Sequence, residues 1–432
     1  MPSPDSITAR YLTRFKCLGT SCEENCCQGW QVQIDRRHYQ ILKSAMDGSQ
    51  AEREEFRAGI QRNHAPARDD GRFAWIRLDE KQSCPFLSSK KLCSIQGRYG
   101  EEALPDICAT YPRLVSKFGD RLEVWGTLSC PEMARQCLLH EDALEIVDAT
   151  AADLTPRTEP TTAVVGTPTP YQQYLDHLRA VVFHLLSLRH YPMGTRLFLV
   201  SYLGKQTAEF FNKSTIQVNQ ARLAEVVEHV TSPENAALWH EELSQLPAPD
   251  ALTAKLVTQM LRERLKVPLG SFRVLVDKIL ATYHDVDGVA LDENGVPTLS
   301  VSDLWAAYAD RRQFWLERHH DRVDLYFENY AKNFWLREWF VTSPDLLVHS
   351  QRLLVRVAVL RFLLFGHPWL KAAMSLEDPA AQREALDRAA VDTFYKFSRA
   401  IEHEGSFLDL LAARLVEQGM NTFSHATLLA LM

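Results

Sequence analysis

The sequence predicts a mostly α-helical protein in which an N-terminal α+β, cysteine-rich domain with short strands precedes a larger all-helical domain. Three observations predict it. All nine cysteines lie in the first third of the 432 residues, four of them (Cys17, Cys22, Cys26 and Cys27) in the stretch FKCLGTSCEENCCQGWQVQI. Residues 149–170, ATAADLTPRTEPTTAVVGTPTP, are rich in Thr, Pro and Ala, lack a burying pattern and read as a linker. Beyond them apolar residues recur at helical spacing almost throughout, as in YLDHLRAVVFHLLSL and LLVRVAVLRFLLF. The predicted division is therefore 1–148, 149–170 and 171–432, and the chain is long enough for more than one core.

In the first part, Trp30, Val32 and Ile34 alternate with Gln31, Gln33 and Asp35, the period-two pattern of a half-buried strand. Residues 36–63 are charged, with Tyr39, Ile41 and Leu42 at helical intervals, and predict one or two surface helices. FAWIRL (73–78) predicts a second strand leading to Cys84. Arg113 to Cys130 reads as a hairpin turning at Gly119-Asp120, which returns Cys130 towards the other thiols. Pro131 suits a helix start, and the helical period of EMARQCLLHEDALEIV continues it. Cys130 then sits at a helix N-terminus, where partial positive charge favours a thiolate.

In the second part, LVTQMLRERL, FRVLVDKILATY and FLDLLAARLVEQ predict further helices. DVDGVALDENGVP (285–297) has its glycine fourth, where an EF-hand loop needs it sixth, and reads as a solvated turn. His319-His320 in ERHHDR reads as a solvated helix face.

The net charge of -7, from 55 acidic and 48 basic residues mixed along the chain, offers no basic surface and argues against a nucleic-acid partner. MPSPDSITARYLTRF has no signal-peptide pattern, and no apolar run approaches the ~20 residues of a membrane helix. The expectation is a cytoplasmic protein without membrane partners, whose thiols stay reduced and whose clustered cysteines hold metal rather than disulfides.

Cys84 (SCPFL), Cys93 (KLCSI), Cys108 (DICATYPR) and Cys130 (LSCPEMAR) join the first four as candidate metal ligands. Cys137, inside an apolar helical stripe, reads as core. Zinc sites usually show two separated C-x2–4-C pairs, whereas a dense knot followed by single cysteines suits an iron–sulfur cluster, such as a 4Fe-4S cubane, built from several loops. One cubane leaves five of the nine cysteines spare and two leave one. In extended backbone the side chains of Cys26 and Cys27 point opposite ways, so only one is expected to reach a given metal. CEENC starts like the radical S-adenosylmethionine signature C-x3-C-x2-C, but the third cysteine follows at once, which argues against that superfamily.

The order FKCLGTSCEENCCQGWQVQID, CPFL, LCSIQGRYGEEALPDICATYPR and LSCPEMAR resembles the flagellin lysine-N-methylase family and the wider group of CxxxCC-type metal-chelating domains. The likeness continues in LYFENYAKNFW (325–335) and FSRAIEHEGSFL (397–408). The resemblance implies an iron–sulfur protein that transfers a methyl group from S-adenosylmethionine to lysine ε-amines of flagellin. Its cluster ligands come from Cys17, Cys22, Cys26, Cys27, Cys84, Cys93, Cys108 and Cys130, and the helical part binds cofactor or substrate. No glycine-rich nucleotide turn of the doubly wound methyltransferases is present, so the cofactor requires another kind of site.

Lysine, with a pKa near ~10.4, must be desolvated or meet a base before it can attack a methyl group. The candidate catalytic groups are Tyr326, Glu328 and Tyr330 in one motif and Glu402 and His403 in the other, with Arg113 and Arg399 as candidate cofactor-binding residues. On a helix Tyr326 and Tyr330 share a face, as do Arg399, Glu402 and His403. Aromatic faces also attract a sulfonium cation. The competing reading is non-enzymatic: a metal-cluster redox or iron sensor, or a zinc-stabilised adaptor.

Overall fold

In a computed structural model of the chain, which describes residues 6–65, 70–80, 82–150, 160, 162–246, 270–284, 301–402 and 422–432, short strands cluster in the first part and helices make up the rest. In chain order the strands are β1 (Ile7–Ala9), β2 (Gln33–Ile34), β3 (Ile60–Arg62), β4 (Ala74–Ile76), β5 (Arg113–Phe118), β6 (Arg121–Gly126), β7 (Ile146–Asp148) and β8 (Thr162–Val164). They form one sheet of order β7-β1-β6-β5-β8 and a second of order β2-β4-β3.

Local signals placed most of these elements. Gly119, at φ +60°, starts the turn that pairs Phe118 with Arg121 and Arg113 with Gly126, the predicted hairpin. The charged stretch after β2 forms two helices, Arg36–Ala45 and Gln50–Gly59, whose caps Asp35 and Ser49 accept from the amides of His38 and Glu52. Pro131 opens the helix Pro131–Leu138 with Cys130 as its N-cap.

Where strand edges stood open, tertiary pairing overrode the local pattern. The helix ends at Leu138, and Ile146–Asp148 instead pairs antiparallel with β1, Ile7 opposite Asp148. Within the stretch predicted as a linker, Thr162–Val164 pairs parallel with β5, Ser116 opposite Thr162. Both segments carry β-branched residues that suit an edge strand.

Two hydrophobic cores result. The smaller gathers Val32, Ile34, Leu42, Phe56, Ile76, Phe86 and Ile95 around the second sheet. The larger runs from Tyr11, Val124, Trp125 and Met133 into the helices, taking in Tyr330, Trp335, Leu360 and Phe394. The predicted stripes appear as Leu175–Leu186, Ser271–His284 and Leu346–Phe365, with the long helix Val301–Arg337 between the last two. Met193–Thr207 crosses Leu346–Phe365 at Gly204, where a Cβ would stand 2.8 Å from the Leu347 backbone.

His319 interrupts the long helix at φ -141°, ψ 31°. The kink turns its ring inward to Gln382, 3.0 Å away, so this histidine is buried rather than solvated. No helix among the described residues is long and apolar enough to cross a membrane. The stripes at 256–265 and 407–418 and the turn at 285–297 lie outside the described residues.

Candidate functional site

The loop from Cys17 to Trp30 runs through turns rather than as extended backbone. Gly19 (φ +55°) and Gly29 (φ +84°) take conformations that side chains disfavour, and Asn25 Oδ1 accepts from the Cys27 amide at 2.8 Å. Trp30 Nε1–H closes the turn onto the Cys26 carbonyl at 2.8 Å.

This loop is tied on three sides. The Cys84 amide donates to the Cys27 carbonyl at 2.9 Å and the Gly29 amide to the Gln82 carbonyl at 2.9 Å, which docks the Cys84 segment. Leu87 and Cys93 face each other across an isolated bridge, so Cys93 belongs to the same segment. On the second side Glu23 pairs with Arg135, one turn into the helix that Cys130 caps. On the third, Arg399 donates to the carbonyls of Asn25 (2.5 Å) and Gln28, on either side of the Cys26-Cys27 pair.

None of the nine cysteines forms a disulfide, and Cys137 is wholly buried as expected. Because Cys26 and Cys27 sit in a turn, their thiols meet, which corrects the expectation that they point apart. The hydrogen bond from Cys27 depresses the Cys26 thiol against the effect of burial, and the Arg399 guanidinium depresses it further, while the same bond and burial push Cys27 up. Cys130 takes the predicted N-cap position without a side-chain capping hydrogen bond, and the amides of Met133 and Glu132 act to lower its thiol. Burial outweighs them and pushes the thiol up to about 12, so the helix terminus alone does not leave a thiolate.

Among the described residues no three thiols lie within 4.8 Å of one another. Sulfurs at ~2.3 Å from one tetrahedral zinc would stand roughly 3.8 Å apart. The donor set itself, soft thiols from several loops with no histidine among them, is of the kind that holds an iron–sulfur cluster. The group that does lie so close is Asp35, His38 and Asp106, which sequence reasoning missed although Asp35 and His38 stand at helix-cap spacing. His38 Nδ1 is 2.5 Å from Asp35 and Nε2 is 3.5 Å from Asp106. The buried ring thus joins Arg36–Ala45 to Asp106–Thr110, the helix that carries Cys108.

The C-terminal motif residues divide among three buried networks. Tyr326 Oη donates to Asp387, which also receives Arg322 at 2.7 Å. Tyr330 Oη donates to Glu402 Oε1 at 2.7 Å, and Arg337 donates to Oε2 at 2.8 Å. Burial pushes the Tyr330 hydroxyl well above its ordinary value, and the Glu402 charge adds to that. The Glu402 side chain is 1% exposed; burial alone would raise its carboxyl, yet Arg337 and Arg356 outweigh burial and hold it at about 2. On another face Glu328 receives Arg189 at 3.0 Å, Arg196 at 2.9 Å and Lys332 at 2.7 Å. Burial pushes Glu328 up, and Arg189 and Lys332 more than offset it.

Arg399 and Glu402 do not share one face. The five-residue π-helical segment Ser398–Glu402 turns Arg399 to the cysteine loop and Glu402 to Arg337. His403 lies outside the described residues. Arg113 holds its guanidinium 5.3 Å from the Phe15 ring. Near it the Tyr111 ring stands 6.0 Å from Trp30, and the Tyr111 hydroxyl is 3.2 Å from Ser129 Oγ. Arg399 is therefore the predicted C-terminal residue that reaches the cysteines, whereas Tyr326, Glu328, Tyr330 and Glu402 bond elsewhere. Arg337 and Asp387 were missed; Arg337, two helical turns beyond Tyr330, was readable as the same face.

The cavities lined by described residues include two small ones. One of about 200 Å³ lies among Phe198, Trp239, Leu243 and Leu246. The other, of about 210 Å³, lies among Arg189, Arg196, Arg322, Asp324 and Glu328. Both fall below the ~300 Å³ at which cofactor-sized pockets begin, so neither fits the whole of S-adenosylmethionine.

Residues 179–429 match the family described as FliB lysine N-methylase C-terminal domain. The chain is 23% identical over 309 residues to a lysine-N-methylase of Salmonella typhimurium, a match covering 69% of this chain and 70% of that protein. It is equally similar to a lysine-N-methylase of Salmonella choleraesuis. A flagellar biosynthetic protein FliU of Salmonella muenchen is 25% identical over 138 residues, 32% of this chain and 78% of its own length. No solved structure matches.

Proposed function

The chain belongs to the FliB lysine N-methylase family, and from that premise we propose that it is a protein-lysine N-methyltransferase. In this reading it moves a methyl group from S-adenosylmethionine to lysine ε-amines of flagellin and holds a 4Fe-4S cluster on its N-terminal cysteines. The observation that carries methyl transfer is the family match across 179–429, a span that includes Tyr326, Glu328, Tyr330, Arg399 and Glu402. The names of the relatives, two lysine-N-methylases and a flagellar protein, support lysine on a flagellar substrate. Arg399 supports a joint site, since it bonds the cysteine loop from within the matched region.

When bound, S-adenosylmethionine supplies an electrophilic methyl group on a sulfonium. The protein's part is to bring a neutral lysine amine to it. A general base works best with a pKa near the working pH. Glu402, held at about 2, and Glu328, held down by its cations, are poorly matched to take a proton from an ammonium. We assign both to positioning: Glu402, with Tyr330 and Arg337, anchors the segment from which Arg399 reaches the cysteine loop. Burial by itself lowers an ammonium's pKa, as it does for Lys332, so desolvation of the substrate lysine supplies part of its deprotonation.

The test is anaerobically purified protein incubated with flagellin, with and without S-adenosylmethionine, followed by peptide mass spectrometry. Methyl groups on flagellin lysines only when both are present support the reading. Metal-replete protein that neither methylates flagellin nor binds the cofactor calorimetrically overturns it in favour of a sensor or adaptor.

A further inference from the structure

Asp35, His38 and Asp106 offer two carboxylate oxygens and a ring nitrogen that all lie within 4.8 Å of one another, with no thiol among them. Helix capping sets two of the three. Asp35 caps the helix Arg36–Ala45, its Oδ1 accepting from the His38 amide at 3.0 Å while its Oδ2 meets the His38 ring at 2.5 Å. An ionised carboxylate only accepts, so Nδ1 of the ring carries the hydrogen of that bond. Nε2 is then the end of the ring that meets Asp106, the first residue of the helix Asp106–Thr110.

The width of that second gap decides what belongs in it. A charged N–H···O bond to a carboxylate closes to about 2.7–2.9 Å. Nε2 and Asp106 Oδ1 stand 3.5 Å apart, too far for such a bond. Two ligands at ~2.1 Å from one tetrahedral metal ion would stand roughly 3.4 Å apart, which matches the gap. The order carboxylate, imidazole, metal is also how ligating histidines are held, since an acceptor on the far ring nitrogen sets the tautomer. Burial adds to this: the His38 side chain is 7% exposed, whereas Asp106, at 38%, leaves an ion and its waters a way in.

We propose that His38 Nε2 and Asp106 hold a divalent metal ion, zinc by the donor pair of imidazole and carboxylate, with Asp35 bonded to the far ring nitrogen and water completing the coordination. The ion ties the helix Arg36–Ala45 to the one that carries Cys108, and both helices pack on the small core, through Leu42 and Cys108. The site uses no cysteine and does not depend on the methyl-transfer reading.

The experiment titrates zinc chloride calorimetrically into the full chain as purified anaerobically, and reads the bound zinc by X-ray absorption. Wild type is expected to take up one zinc that Asp106→Ala and His38→Ala each bind at least tenfold more weakly, with iron content equal in all three. The zinc that Asp106→Ala loses should show nitrogen and oxygen neighbours at ~2.0–2.2 Å, with imidazole among them, and no sulfur at ~2.3 Å. Wild type that binds no zinc, or zinc held as tightly after either replacement, overturns the site. Zinc on the thiols would show sulfur and survive both replacements, and overturns it too. Circular dichroism accompanies the variants, since His38 joins two helices; should either unfold, the wild-type stoichiometry and the neighbours of its zinc decide.

Discussion

Arg399 donates to the backbone carbonyl of Asn25 at 2.5 Å, across 374 positions of sequence. A second bond to the Gln28 carbonyl brackets the Cys26-Cys27 turn with one guanidinium. The bracket exists because the π-helical turn Ser398–Glu402 offsets Arg399 from the face that Glu402 presents to Arg337. It makes the cysteine loop depend on a residue of the family-matched helical region.

Arg399→Ala is accordingly expected to loosen the loop. Hydrogen bonds to a charged group contribute about 1.5–3 kcal/mol each. Iron retained through purification should fall, and Arg399→Lys, which keeps the charge but not the fork, should restore it only in part. Unchanged iron in Arg399→Ala removes the bracket's importance.

Glu402 sets a pH dependence with a definite sign. Its carboxyl lies at about 2 in the fold against an ordinary 4.5, so its pairing stabilises fully above the unfolded value and is lost as pH falls from there towards the folded value. Glu402→Gln, which leaves Arg337 buried without its counter-charge, should cost about 3 kcal/mol at neutral pH. Urea unfolding of both proteins across acid pH should show that gap closing towards pH 2; a pH-independent gap contradicts the ionised pair.

Glu328 holds three cations, Arg189, Arg196 and Lys332, with its side chain 1% exposed. Glu328→Gln should destabilise by about 3–5 kcal/mol, as expected for breaking a buried pair. Methylation per folded molecule should keep its pH profile. Activity lost at unchanged stability would instead return Glu328 to the role of base.

Gly204 lets the helices Met193–Thr207 and Leu346–Phe365 touch backbone to backbone. With a Cβ only 2.8 Å from Leu347, Gly204→Ala should cost about 1–3 kcal/mol. Thermal unfolding reads it directly, and an unshifted midpoint means the crossing is not tight.

Features set by a residue and its immediate neighbours were legible in the chain. Gly119-Asp120 turns the hairpin because the glycine can adopt positive φ, and Pro131 begins a helix because its ring already holds the required φ. Cys137 reads as core from its stripe alone. Sequence pattern misled where a distant partner decided. Ile146–Asp148 gave up helical period for the open edge of β1, and the kink at His319 buried a residue whose neighbours are charged.

The candidate site divides along the same line. By itself the sequence determined that soft ligands concentrate in the first third, that helices follow, and that two polar motifs recur in the helical part, since composition and period are local properties. Only the tertiary structure decided that Arg399 turns to Asn25 while Glu402 turns to Arg337, and that Cys27, Cys84, Cys93 and Cys108 gather at the small core while Cys130 joins the large one. The reason is physical: buried charges and thiols go wherever packing brings a partner, and sequence spacing carries no information about partners hundreds of residues away.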